Sequence, residues 1–127
     1  MKPNILLVSV PAVNYSILED YFAGRDVHSL QLHGEPLGLL YLSSYLKQFN
    51  IHNQISLLDY GLGLSHAKYY DGVDHYIRQL AVNTVNYRPD VIGISINFTC
   101  SHRFLLECSQ TFKDLWPDST IVVGGFH

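Results

Sequence analysis

Hydroxyls and glycines are the chemically suggestive residues of this 127-residue chain, more than acid–base pairs or metal ligands. Ser95 and Thr99 stand at the end of one apolar run, Gly61 and Gly63 follow another, and Gly124-Gly125 closes a third. A hydroxyl can hydrogen-bond a polar ligand, and glycine lets backbone approach one closely. A single glycine after a strand ordinarily makes a tight turn. Several such loops gathered at one end of a sheet point instead to a ligand site. The histidines (His28, His33, His52, His66, His75, His102 and His127) are dispersed, and none forms an i, i+4 pair on a predicted helix, so zinc-ligand spacing is missing. Cys100 and Cys108 allow at most one disulfide, supply no four-ligand metal set, and lack the third cysteine of a closely spaced cluster-binding trio. Cys108 lies among Phe104, Leu105, Phe112 and Leu115, where a thiol is expected to act as a small buried hydrophobe. There is no G-x-S-x-G elbow, no P-loop, and no G-x-G-x-x-G after the first apolar run. Gly61-Leu62-Gly63 lacks the third glycine of a dinucleotide fingerprint, and Ser9-Val10-Pro11 stands where a phospho-acceptor receiver would carry acidic residues. No catalytic and no metal-ligating residue is assigned.

The elements that must position these residues alternate between strand and helix. Asn4 to Val10 is a nearly continuous apolar run closed by Pro11, the pattern of a strand buried on both faces. A polar and aromatic stretch from Ala12 to Gly34 follows, with a helical turn expected around Ser16 to Phe22. Pro36 to Phe49 opens with proline and repeats apolar residues at helical spacing. Ile55 to Leu58 reads as a second strand, followed by a loop from Asp59 to Gly63. Asp71 is expected to cap a helix whose face carries Val73, Ile77, Leu80, Ala81 and Thr84. Asp90 to Asn97 is a third buried strand, and Ser101 is expected to cap a helix that runs to Trp116 and stops at Pro117. Thr120 to Val123 is a fourth strand. The order β-α-β-α-β-α-β implies an open parallel sheet with helices on both faces, and ligands of such sheets bind beyond the carboxyl ends of the strands.

Composition narrows the classes further. Hydrophobic residues make up 47% and charged residues 15%, which excludes disorder. The net charge is -3, and the eight basic residues are scattered, so no stripe exists to neutralise the phosphates of a nucleic acid. No apolar run approaches the length of a membrane span. The amino terminus lacks a small-residue cleavage site after Pro11, so a cytoplasmic location is expected. A fourth strand left at an edge without a following helix would expose apolar surface. Residues 1–127 are therefore expected to be the front part of a longer domain, truncated after the fourth strand, with the exposed edge available for a homodimer.

Three segments carry a family resemblance. Pro36-Leu37-Gly38-Leu39-Leu40-Tyr41-Leu42 with Tyr45-Leu46, Pro89 to Ser95 with Thr99, and Ile121 to His127 resemble, in order and spacing, the cobalamin-binding domains of cobalamin-dependent radical S-adenosylmethionine enzymes. The resemblance implies a flavodoxin-like (Rossmann-like) sheet in order 2-1-3-4-5, of which this chain would supply four strands. It also implies cobalamin as the bound cofactor. Ser95 and Thr99 match hydroxyl positions lining the slot for the dimethylbenzimidazole tail, and Gly124 and Gly125 match its glycine pair. Asp59 and Gly61 match a loop near the corrin. Gly38 corresponds to the last glycine of the D-x-H-x-x-G signature of classical cobalamin proteins, which puts Glu35 at the cobalt-ligating histidine and His33 at the aspartate. That departure fits the radical branch, which commonly lacks the lower histidine. The parent is implied to carry a downstream catalytic barrel with a [4Fe-4S] cluster and S-adenosylmethionine, for methyl transfer or ring-forming chemistry. Two other readings of the residues stand beside this one: a flavodoxin-like nucleotide or flavin module, and a protein-interaction domain. The aromatics Tyr15, Tyr21 and Phe22 are expected either to cover the corrin face or to pack on the sheet.

Overall fold

A computed structural model of the chain describes residues 2–25, 36–64 and 70–125. The elements are β1 (Ile5–Ser9), α1 (Tyr15–Phe22), α2 (Leu37–Phe49), β2 (Ile55–Asp59), α3 (Tyr60–Gly63), α4 (Val73–Thr84), β3 (Val91–Ser95), α5 (His102–Leu115) and β4 (Thr120–Gly124). The four strands form one parallel open sheet in the order β2-β1-β3-β4, consistent with a flavodoxin-like fold. No helix among the described residues is long and apolar enough to cross a membrane.

The strand that reads as doubly buried in sequence is the centre of the sheet. All five residues of β1 are buried, because it has a strand on either side and helices above and below. Successive side chains alternate between faces, and the two faces differ. Leu6, Val8, Leu58, Ile92 and Ile94 join Leu18, Tyr76, Ile77, Phe104, Cys108 and Phe112 in the main core under α1, α4 and α5. Ile5 and Leu7 meet only Leu39, with Leu46, Ile55 and Leu57 packed around them, under α2.

The main core also absorbs the aromatic residues. Tyr60 and Tyr76 are fully buried, their rings 5.6 Å apart, and Phe104 packs 5.3 Å from Tyr60. Each tyrosine hydroxyl donates to a main-chain carbonyl, Tyr60 to Ile77 and Tyr76 to Tyr60, so burial leaves neither without a partner. Tyr15 is buried and donates to Asp74, while Tyr21 and Phe22 pack against this core. Of the two expectations for these aromatics, packing is the one realised.

Four local expectations are corrected. Asp59 to Gly63 is not an open loop: β2 runs through Asp59, whose carboxylate accepts the Gly61 and Leu62 N–H groups and caps the single turn α3. Gly72, not Asp71, is the cap of α4, and Asp71 instead donates its N–H to His75 Nδ1. On α4 itself Tyr76 is buried and Thr84 exposed, because the helix turns its aromatic side to the sheet. Ser101 precedes α5 but does not cap it. Its hydroxyl donates to the carbonyl of Pro11 at 2.7 Å, the stronger claim for a buried oxygen facing an otherwise unpaired carbonyl.

Candidate functional site

The parallel register brings the carboxyl ends of all four strands to one level. Ser9 pairs with Asp59 on one side and Ser95 on the other, and Ser95 pairs with Gly124. The last rung of the sheet is therefore Asp59, Ser9, Ser95, Gly124. The rung beneath it is wholly apolar: Leu58, Val8, Ile94, Val123. Polarity changes within one residue's rise, where the sheet ends.

β1 and β3 lie side by side but continue in opposite directions across the sheet, one to β2 and the other to β4. Between their ends the chain opens a crevice, the position at which open parallel sheets bind ligands. A cavity of about 440 Å3 occupies it, lined by Ser9, Val10 and Ala12 after β1, by Ser95, Asn97, Phe98 and Ser101 after β3, and by the start of α2. A second cavity of about 270 Å3 adjoins it and shares Gly38, Leu39, Ser95 and Gly125. Its remaining lining is Leu7, Gly93, Val122 and Gly124 from the sheet with Leu42 of α2. Together they make a groove with an apolar floor, a hydroxyl rim and a helical wall. Among the described residues no lysine or arginine lines either part.

Glycines give the groove its depth. At Gly38 and Gly124 a Cβ would meet nothing within 4 Å, so each leaves space that a side chain would fill. Gly125 has a different reason. Its φ is +125°, and a Cβ there would lie 2.0 Å from the Ile96 carbonyl oxygen. Only glycine fits where the chain leaves β4 against the backbone after β3, a junction also held by the bond from Ile96 N–H to the Gly124 carbonyl.

The structure thus gathers Gly38, Ser95, Gly124 and Gly125 around one groove. It does not bring Asp59, Gly61 or Thr99 to it. Asp59 caps α3 and borders a separate depression with Leu62, Gly63, Leu80 and Thr84. Gly61 is buried in α3. Thr99 opens a short 3-10 turn beyond β3, exposed and outside both cavities. Glu35 and His33 lie outside the described residues. Ser9, Asn97 and Phe98 line the groove without having been singled out in sequence; an exposed phenylalanine between hydroxyls at a strand end was the available signal.

Val10, Pro11 and Val13 are buried, and the Pro11 carbonyl is taken by Ser101. Cys108 is fully buried, and burial pushes its thiol well above the usual range, so it is inert packing. Among the described residues no group of three His, Cys, Asp or Glu side chains is placed to hold a metal ion. Comparison of the chain with protein-family models, with curated proteins and with solved structures finds no match.

Proposed function

We propose that the chain is a cobalamin-binding α/β module of a larger cobalamin-dependent radical S-adenosylmethionine enzyme. The observation that carries the reading is the groove at the β1/β3 crevice. Its apolar floor of Leu7, Gly93 and Val122 lies under the hydroxyls of Ser9 and Ser95 and beside the open glycines Gly38 and Gly124. An uncharged aromatic base with a sugar attached has this distribution of polarity, flat and apolar at one end and hydroxyl-seeking at the other. Four of the positions named by the family resemblance line it. A groove with no lysine or arginine among its described lining residues suits a flavin phosphate or a nucleotide triphosphate poorly.

In this reading Gly38, Gly93 and Gly124 admit the nucleotide tail of the cofactor, and Ser9 and Ser95 hydrogen-bond it. Phe98, half exposed at the mouth, shields the apolar interior from water. Bound cobalamin would supply methyl-transfer or radical chemistry to the parent's downstream domain, with its [4Fe-4S] cluster and S-adenosylmethionine. This chain's residues bind and orient; they do not themselves react.

The test is retention of pigment. The chain mixed with hydroxocobalamin and passed through gel filtration should elute coloured, with a base-off visible spectrum. Ser95→Leu and Gly124→Val should each cut retention by about tenfold or more, since each fills the groove with branched side-chain carbon. Neither replaces a packed core side chain, so the circular dichroism should stay unchanged. Colourless elution of the unmodified chain, or full retention by both variants, would remove the assignment.

A further inference from the structure

We infer that the outer flank of α2 is a homodimer surface on which a second copy of this chain packs its own α2 about a two-fold axis. The inference is independent of what the groove binds. It starts from the width of the helix's apolar arc. A surface helix ordinarily carries one apolar stripe, somewhat over 100° wide. α2 carries two, recurring at three- and four-residue intervals. The first, Leu39 and Leu46, covers Ile5, Leu7, Ile55 and Leu57. The second runs through Gly38, Tyr41, Leu42, Tyr45 and Phe49. Gly38 and Leu42 border the groove beside β3, while Tyr41 is 75% exposed, Tyr45 59% and Phe49 54%.

The size of this second stripe decides what it is for. At about 200 Å2 for a large side chain, the exposed fractions of Tyr41, Leu42, Tyr45 and Phe49 sum to roughly 450 Å2. That lies within the range of the largest apolar patch on an ordinary monomer, a patch that is often functional. It also matches the apolar share of what each partner gives to a standard interface, about 800 Å2 of which somewhat over half is apolar.

Charge and order favour a second copy as the occupant. Across a two-fold axis each residue near the axis meets its own counterpart, so like charges there would repel. The flank carries none. The one charge on α2, Lys47, projects from the opposite side of the helix with Ser44, as their positions on the helical wheel require. Tyrosine and phenylalanine are the residues enriched at interface centres. Tyr45 and Phe49 already stack, with ring centroids 4.7 Å apart, so little side-chain freedom is lost on docking.

Sedimentation equilibrium of the whole chain over micromolar to submillimolar concentrations tests this without any cofactor. The unmodified chain is expected to self-associate to a dimer. The double variant Tyr41→Lys, Tyr45→Lys should weaken association on the order of a hundredfold or more, with circular dichroism unchanged because both side chains are exposed. Val82→Lys, an equally exposed apolar position on α4, should leave the dimer intact. A monomer at every concentration would overturn the inference and leave the flank to some other chain. A dimer that survives the tyrosine variant but is lost in Val122→Pro would place the contact at the β4 edge, and would overturn it too.

Discussion

The two faces of the sheet solve the same problem differently. Under α1, α4 and α5 the strands meet a dense core of Tyr60, Tyr76, Phe104 and Phe112, with every buried hydroxyl paired. Over the other face α2 covers β1 and β2, and the floor beside it is Gly93 and a half-exposed Val122. One face is closed by this chain's own side chains, and the other keeps its apolar surface available. In the proposed reading, stability and binding fall to opposite sides of one sheet, which would let either vary without the other.

The sharpest way to break that division is to damage the closed face. Phe104→Ala would remove a fully buried ring touching Tyr60, and should cost roughly 3–5 kcal/mol in chemical denaturation. A loss under about 1 kcal/mol would mean that the core around it is loosely packed.

Alkaline pH probes the same face more gently. In the unfolded chain Tyr60 and Tyr76 ionise near 10.0 and Cys108 near 9.0, whereas burial raises all three in the fold. The folded state then holds protons that the unfolded chain releases. Stability from these groups is complete below pH 9.0 and declines as pH passes 10.0 toward the raised values. The Tm should fall progressively in that range, and a flat profile would contradict the burial of these groups.

The smallest effect belongs to the open face and has the opposite sign. Gly38→Ala places a methyl where a Cβ meets nothing, in a helix that glycine weakens. It should raise stability by up to about 1 kcal/mol while lowering cobalamin retention. A variant that gains stability and binds as well as the parent would show that Gly38 does not border the ligand.

The sheet was readable in sequence because a strand buried between neighbours writes itself as an unbroken apolar run, as in Ile5 to Val8 and Val91 to Ile94. Parallel pairing followed from alternation with helices, whereas the strand order came only with the family resemblance. The caps were not readable, since Asp59, Asp71 and Ser101 are all competent capping residues and tertiary partners decided which did so. Tyr76 was passed over on α4 because its buried ring needs the Tyr60 carbonyl for its hydroxyl, a partner sixteen positions away in the chain. At the candidate site, Ser95, Gly124 and Gly125 were legible from their place at strand ends, while Gly38, in the first turn of α2, came only with the family resemblance. Thr99 was not separable from Ser95 in sequence, because the 3-10 turn that carries it out of the groove leaves no periodic signature. Ser9 emerged only from the register that sets it beside Ser95.

The hydrogen bond from Ser101 to the Pro11 carbonyl has a consequence for kinetics. It staples the segment after β1 to the segment after β3, the two lips of the crevice, through a buried contact of 2.7 Å. Lips joined in this way form an aperture of fixed width. In the proposed reading, entry of a ligand would then depend on its fit to that opening. Cutting the staple with Ser101→Ala would loosen the aperture, so that ligands come and go faster at both ends of the exchange.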